Sequence, residues 1–241
     1  MKSILYWLIS IFSITVIVSS CADCPPATTD FEKMRQALNV SPCSNGTLTS
    51  SSSSSSSSST TSTSDSGIFL GVGDSGNIVR STDNGSSFDN ATSPTANRLR
   101  GVSFGNDILV AGGISGDIVR STDNGSSFDN VTSPTGNALR GVSFGNDVFV
   151  AVGVSGTIVR STNNGSSFDN VTSPTGNNLS GVTFGNDIFL GVGQSGTIVR
   201  STNNGSSFDN ATSPTTSNLL GVTFGNDIFL GVGQSGTIVR S

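Results

Sequence analysis

From about residue 66 the apolar residues fall into short runs divided by Gly, Asn, Asp and Ser. One stretch reads LRGVSF (Leu139–Phe144), a Gly-Asn-Asp turn, VFVAVG (Val148–Gly153), a Ser-Gly turn, TIVRS (Thr157–Ser161), a polar turn and SFDNVTSP (Ser167–Pro174). Four such runs between turn-forming residues predict four antiparallel strands, here lettered A to D. The pattern then starts again. The segment IVRS ends at Ser81, Ser121, Ser161, Ser201 and Ser241, a period of 40 with no insertion, and Gly181–Ser201 is identical to Gly221–Ser241.

The runs are nearly continuous in apolar and small residues, as in Ile188-Phe189-Leu190-Gly191-Val192-Gly193, rather than alternating. Continuous runs are buried on both faces, as a sheet is when another sheet packs on either side. A 40-residue unit of four strands has the size of a propeller blade. The expected fold class is therefore all-β, a β-propeller of four-stranded antiparallel blades. A parallel β-helix is the competing solenoid, but its rungs are shorter and need no hairpin turns of this kind. The strands run B, C, D before Thr95, then three full sets, then A, B, C after Pro214. That predicts five blades with incomplete first and last members; an unfinished ring missing further repeats beyond Ser241 has the same strand count, and the bare last strand of the incomplete terminal blade is an expected edge for self-association.

The amino terminus is of another kind. Lys2 precedes an apolar stretch from Ile4 to Val18 and then small residues, the shape of a secretory signal over residues 1–20. Val18-Ser19-Ser20-Cys21 resembles the bacterial lipobox, which implies acylation at Cys21 and a protein held by lipid at the cell envelope, with the outer membrane or cell surface as its place. In residues 21–46, Cys24 and Cys43 are left as two spare thiols, predicting a disulfide in an oxidising compartment. Thr29 and Glu32 have capping-box spacing ahead of Phe31, Met34 and Leu38, so a short helix is expected between the cysteines. Residues 47–65 are a Ser/Thr tether too polar to fold. Its run from Thr47 to Ser64 reaches about 23 Å as a flexible coil. Residues 66–241 are the repeats.

Composition narrows the chemistry. Loss of the signal removes Lys2, Tyr6 and Trp7, so the mature chain has no Tyr, Trp or His, and its net charge moves from −5 to −6. Without His the usual general base and transition-metal ligand are missing. No metal or cofactor is expected, and no basic patch calls for nucleic acid.

One motif recurs in every complete repeat. STDNGSSF occupies Ser81–Phe88 and Ser121–Phe128, and STNNGSSF occupies Ser161–Phe168 and Ser201–Phe208. It resembles the Asp-box of BNR-type propellers, with Phe where Trp is common. The positions matching its turn are Asp83, Gly85 and Phe88; Asp123, Gly125 and Phe128; Asn163, Gly165 and Phe168; Asn203, Gly205 and Phe208. Replacement of Asp by Asn within one chain keeps a turn but not a catalytic or calcium-binding carboxylate, so these turns are read as structural, with each Phe packing back into its blade. Together with LRGVSF and AVGxSGTIVRST, the motif makes residues 66–241 similar to the propellers of photosystem II assembly and stability factors. That resemblance implies a non-enzymatic binding scaffold. Sialidases also carry Asp-boxes, but their Tyr nucleophile and Glu partner have no counterpart in these repeats.

Folding each C-to-D hairpin about its Asn-Gly turn sets Arg80, Arg120, Arg160 and Arg200 opposite Asp89, Asp129, Asp169 and Asp209, which predicts cross-strand ion pairs. The sequons at Asn84, Asn90, Asn130, Asn170 and Asn210 are read as turn and strand residues. In a meander the A-to-B and C-to-D turns share one rim, and the B-to-C turn and the D-to-A link share the other. The first rim barely varies between repeats and the second does. Its residues Arg98, Ile114, Asn137, Val154, Asn177 and Gln194 are the candidate ligand rim, because loops on a rigid scaffold carry binding. The ligand is an unknown protein or glycan; the alternatives are a structural repeat antigen with no dedicated ligand and an Asp-box glycosidase relative.

Overall fold

The computed structural model describes residues 67–241. The signal, Cys21, the Cys24 and Cys43 pair, the helix and the tether lie outside the described residues. The strands are β1 (Phe69–Val72), β2 (Ile78–Ser81) and β3 (Asp89–Asn90); β4 (Leu99–Gly105), β5 (Ile108–Gly113), β6 (Ile118–Ser121) and β7 (Asp129–Val131); β8 (Leu139–Gly145), β9 (Val148–Gly153), β10 (Ile158–Ser161) and β11 (Asp169–Val171); β12 (Leu179–Gly185), β13 (Ile188–Gly193), β14 (Ile198–Ser201) and β15 (Asp209–Asn210); and β16 (Leu219–Gly225), β17 (Ile228–Gly233) and β18 (Ile238–Arg240). Each group is one antiparallel meander, giving three complete four-stranded sheets between two three-stranded ones. This is a β-propeller with partial first and last blades, as the strand count predicts.

The turns explain why the chain folds back where it does. Asn106 and Asp107 both have positive φ, 52° and 60°, and connect the paired residues Gly105 and Ile108. That is the type I′ hairpin geometry, which matches the twist of the strands it joins. Its repeats at Asn146, Asn186 and Asn226 are alike.

Neighbouring sheets stack with their A strands innermost, β4 on β8, β8 on β12 and β12 on β16. Small residues permit this approach. A Cβ on Gly101 would lie 2.9 Å from the Arg140 carbonyl and 3.0 Å from the Gly141 Cα. Every residue of β5 and β9 is buried, so the continuous apolar runs are sandwiched between sheets. The clusters that hold the sheets together combine residues of adjacent blades, as where Ile108, Val110 and Ile118 of the second meet Leu139, Val142 and Phe149 of the third.

Two expectations are corrected here. The arginines and aspartates do stand opposite each other in register, but their side chains do not pair. Arg80, Arg120 and Arg160 instead donate from Nε to the carbonyls of Asn124, Asn164 and Asn204 in the next blade, at 2.5, 2.7 and 2.6 Å. A carbonyl held rigidly at a turn outcompetes an exposed carboxylate that water already solvates. The motif phenylalanines likewise do not fold back into their own sheet alone. Phe128, Phe168 and Phe208 are buried in the groove between their sheet and the preceding one. Phe88, with no described sheet before it, is 51% exposed.

Candidate functional site

The Asp-box-like turn is built by its first serine. Ser121, buried at the end of β6, accepts from the Gly125 amide at 2.9 Å and donates to Asp123 Oδ1 at 2.7 Å. Asp123 also receives the Ser127 amide at 3.0 Å and the Ser127 hydroxyl at 2.7 Å. These donors, the Ser127 hydroxyl foremost, hold the Asp123 carboxyl down at about 2, and Asp83 in the first turn is held the same way by Ser87. At Asn163 the geometry persists with one reversal, since Asn163 Nδ2 now donates to the Ser167 hydroxyl at 2.8 Å. A hydroxyl can serve as donor or acceptor, which is why the Asp-to-Asn change leaves the turn intact. Gly125 has φ of 79°, and a Cβ there would lie 2.9 Å from Leu109 and 3.0 Å from Leu70 of the preceding sheet.

This rim is tied together laterally. Asn106 Nδ2 donates to Asp147 at 2.8 Å and to Asn164 at 3.2 Å, both in the next blade. On the outer strands, Asn130, Asn170 and Asn210 donate to the carbonyls of Pro94, Pro134 and Pro174 across the same junctions. These asparagines thus each have a partner one blade away.

On the opposite rim the candidate ligand residues divide. Arg98 Nε pairs with Asp74 of the preceding blade at 2.8 Å. Asn137 and Asn177 donate to the hydroxyls of Thr157 and Thr197, each at 2.8 Å. Ile114, Val154 and Gln194 open the B-to-C turns, with backbone amides bonded to the carbonyls of Arg98, Ala138 and Asn178. The structure does not bring these six side chains into one cavity.

It does form a concavity of about 400 Å³ where the first residues of the inner strands converge, lined by Asp74, Arg98, Arg100, Arg140, Ser180 and Leu220 among others. The last four are one repeat position. Leu99 pairs with Gly113 and Gly101 with Gly112, so Arg100 is the extra residue of a β-bulge, and Arg140, Ser180 and Leu220 are its counterparts. A bulge re-aims the side chain that it inserts. Sequence reasoning passed over these residues because they lie inside a strand. The available signal was the column Arg, Arg, Ser, Leu inside the near-constant run Leu-x-Gly-Val. Three arginines face one aspartate here in a chain of net charge −5. Arg140 Nε is buried without a hydrogen-bond partner, an uncommon and costly state for a charged donor.

No protein-family model matches this chain, and no curated protein matches it in sequence. Solved structures do resemble it. YCF48 bound to D1 peptide superimposes with a TM-score of 0.59 at 16% identity, over 73% of this chain and 60% of that one. Catalytically inactive virginiamycin B lyase from Staphylococcus aureus with quinupristin gives 0.58 at 20% identity, over 71% and 68%. The WD40 repeats of RRP9 give 0.60 at 9% identity, over 72% and 56%. This chain therefore spans about 60% of the YCF48 protein's length, and the shared feature is the β-propeller fold.

Proposed function

We propose that this chain is an exported bacterial lipoprotein, anchored through Cys21, whose Asp-box propeller is a non-enzymatic binding scaffold at the cell envelope. Its ligand is a peptide or protein segment bearing a carboxylate, seated in the concavity of Arg98, Arg100 and Arg140. The observation that carries the reading is the unpartnered Arg140 Nε at the wall of a cationic concavity. An anion there would satisfy the buried donor and gain charge-assisted hydrogen bonds. The resemblance to YCF48 bound to D1 peptide supports peptide capture by this architecture. The repeats lack His, Tyr and Glu, which argues against the general acid, base and nucleophile roles of a propeller glycosidase.

The test is a binding screen of the mature protein, made soluble by Cys21→Ser, against acidic peptides, neutral peptides and glycans, with the Arg100→Ala/Arg140→Ala variant in parallel. Acidic ligands should bind, weaken with salt and lose at least about tenfold in the variant, as expected for removal of a charged hydrogen bond. Equal binding by the variant, or binding of neutral glycans alone, would overturn the assignment. For the anchor, Cys21→Ser should release the protein from the detergent phase, and continued membrane retention would refute acylation there.

A further inference from the structure

The repeats differ at two positions that meet on the loop rim of the second sheet. Its B-to-C turn runs into Asp117, where the third and fourth sheets have Thr157 and Thr197. Strand A of the following sheet is preceded by Ala138, where the later ones have Asn178 and Asn218. Both changes act on one turn. Asn178 and Asn218 cap the Ser155 and Ser195 amides at 2.8 Å. Ala138 offers no side-chain acceptor, so the exposed Ser115 lacks that cap.

Ser115 and Asp117 line a polar cavity of about 320 Å³ between the links that enter and leave this sheet, with Thr95 and Asn97 from one and Ser133 and Thr135 from the other. The turn meets the outgoing link at Gly116, where φ is 77° and a Cβ would overlap the Thr135 carbonyl. The half-buried Val131 adds an apolar patch to the wall. Asp117 is held by one oxygen only. Its Oδ2 accepts from the Thr95 hydroxyl at 2.6 Å and from Asn97 Nδ2 at 3.1 Å, and Thr95 in turn accepts from the Asn97 amide at 3.0 Å. Oδ1 receives no hydrogen bond among the described residues.

The cavity thus offers a fixed anionic acceptor beside an uncapped backbone donor. A calcium ion, which takes about six to eight oxygens, would find one carboxylate here and face the N–H groups of Ser115 and Asn97. A hydroxyl both donates and accepts, and so satisfies both kinds of group. Sugars carry hydroxyls in adjacent pairs next to a C–H face, which suits the Val131 wall. We propose that this cavity is a saccharide subsite, taking one neutral sugar residue whose hydroxyls donate to Asp117 Oδ1 and accept from the Ser115 amide. It shares no lining residue with the cationic concavity and does not depend on the reading given for it. The next junction is its internal control. Every other lining residue has the same residue 40 positions on, and Thr157 alone replaces Asp117.

The test is saturation-transfer NMR on the mature Cys21→Ser protein with glucose, galactose, mannose and N-acetylglucosamine. At least one sugar should bind, and Asp117→Thr should weaken it at least about tenfold, the effect of a lost charged hydrogen bond. Ala138→Asn should weaken it as well, by returning the cap to Ser115. The pair Thr157→Asp/Asn178→Ala, placed in the Asp117→Thr background, should restore binding at the next junction. Each of these side chains already stands at a counterpart position in this chain, so the fold accepts it, and restoration cannot come from misfolding. Absence of binding by all of these sugars, equal binding by Asp117→Thr, or failure of the graft would overturn the proposal. So would binding of calcium or a lysine peptide in place of sugar that Asp117→Thr abolishes, because the carboxylate would then serve a cation.

Discussion

Residues Gly181–Ser201 and Gly221–Ser241 have one sequence, and the structure puts them in two environments. Both form the same hairpins with the same register, Thr183 to Leu190 in one and Thr223 to Leu230 in the other. Yet Val192 is 1% exposed and Val232 is 45%, while Ile198 is half-buried and Ile238 is 70% exposed. The difference is the sheet stacked on the outer face of the fourth blade and not described on the fifth. Strand and turn are therefore properties of the repeat, and burial is a property of its neighbour, the expected division in a repeat array.

That division can be broken most severely with one substitution made at both positions. Val192→Asp should cost about 4 kcal/mol in urea-induced unfolding, because an unpaired carboxylate would be buried between sheets. Val232→Asp should stay within about 0.5 kcal/mol of the parent. Similar losses at both positions would mean that the outer face of the fifth sheet is covered in solution.

The motif phenylalanines allow a smaller version of the same contrast. Phe168 sits in a closed junction and Phe88 on an open one. Phe168→Ala is expected to cost about 3 kcal/mol, at the low end for aromatic truncation because the junction can partly collapse. Phe88→Ala should be nearly neutral in the same measurement. If Phe88→Ala were as costly, something outside the described residues would be packed on that face.

The smallest expected effect separates the acidic turns from the amide turns. Asp83 and Asp123 are held at about 2 in the folded chain against 3.8 for a free side chain, by the Ser87 and Ser127 hydroxyls first and their amides next. The unfolded chain binds protons first, so the stabilisation is complete above about pH 4 and is lost as pH falls through about 2. Asn163 and Asn203 do not titrate. The variant Asp83→Asn/Asp123→Asn should therefore narrow its stability gap to the parent between pH 5 and pH 2, because only the parent loses this contribution. A gap independent of pH would show that the carboxylates add nothing beyond the turn that Asn also forms.

Much of this was legible in the residues. The 40-residue period, the strand order, the partial end blades and the two rims follow from turn chemistry and apolar runs. The opposition of Arg120 and Asp129 follows from counting back from an Asn-Gly turn. The destination of the arginine side chain did not follow, because its acceptor, Asn164, lies in the next blade at a separation of 44 residues. The bulge that carries Arg100, Arg140, Ser180 and Leu220 was also invisible, since an unbroken strand and a bulged one share the same run of residues.

What the sequence determined by itself was everything settled within one hairpin. Positive φ at Asn106 and Asp107, the Ser121 and Asp123 network, and strand register depend on hydrogen bonds and backbone preferences a few residues apart. Only the tertiary structure decided which side chains pass between blades, which position of a strand faces the axial concavity, and which of two identical segments is buried. Those outcomes depend on a second sheet arriving at a fixed distance, and no local preference records which neighbour a repeat will meet.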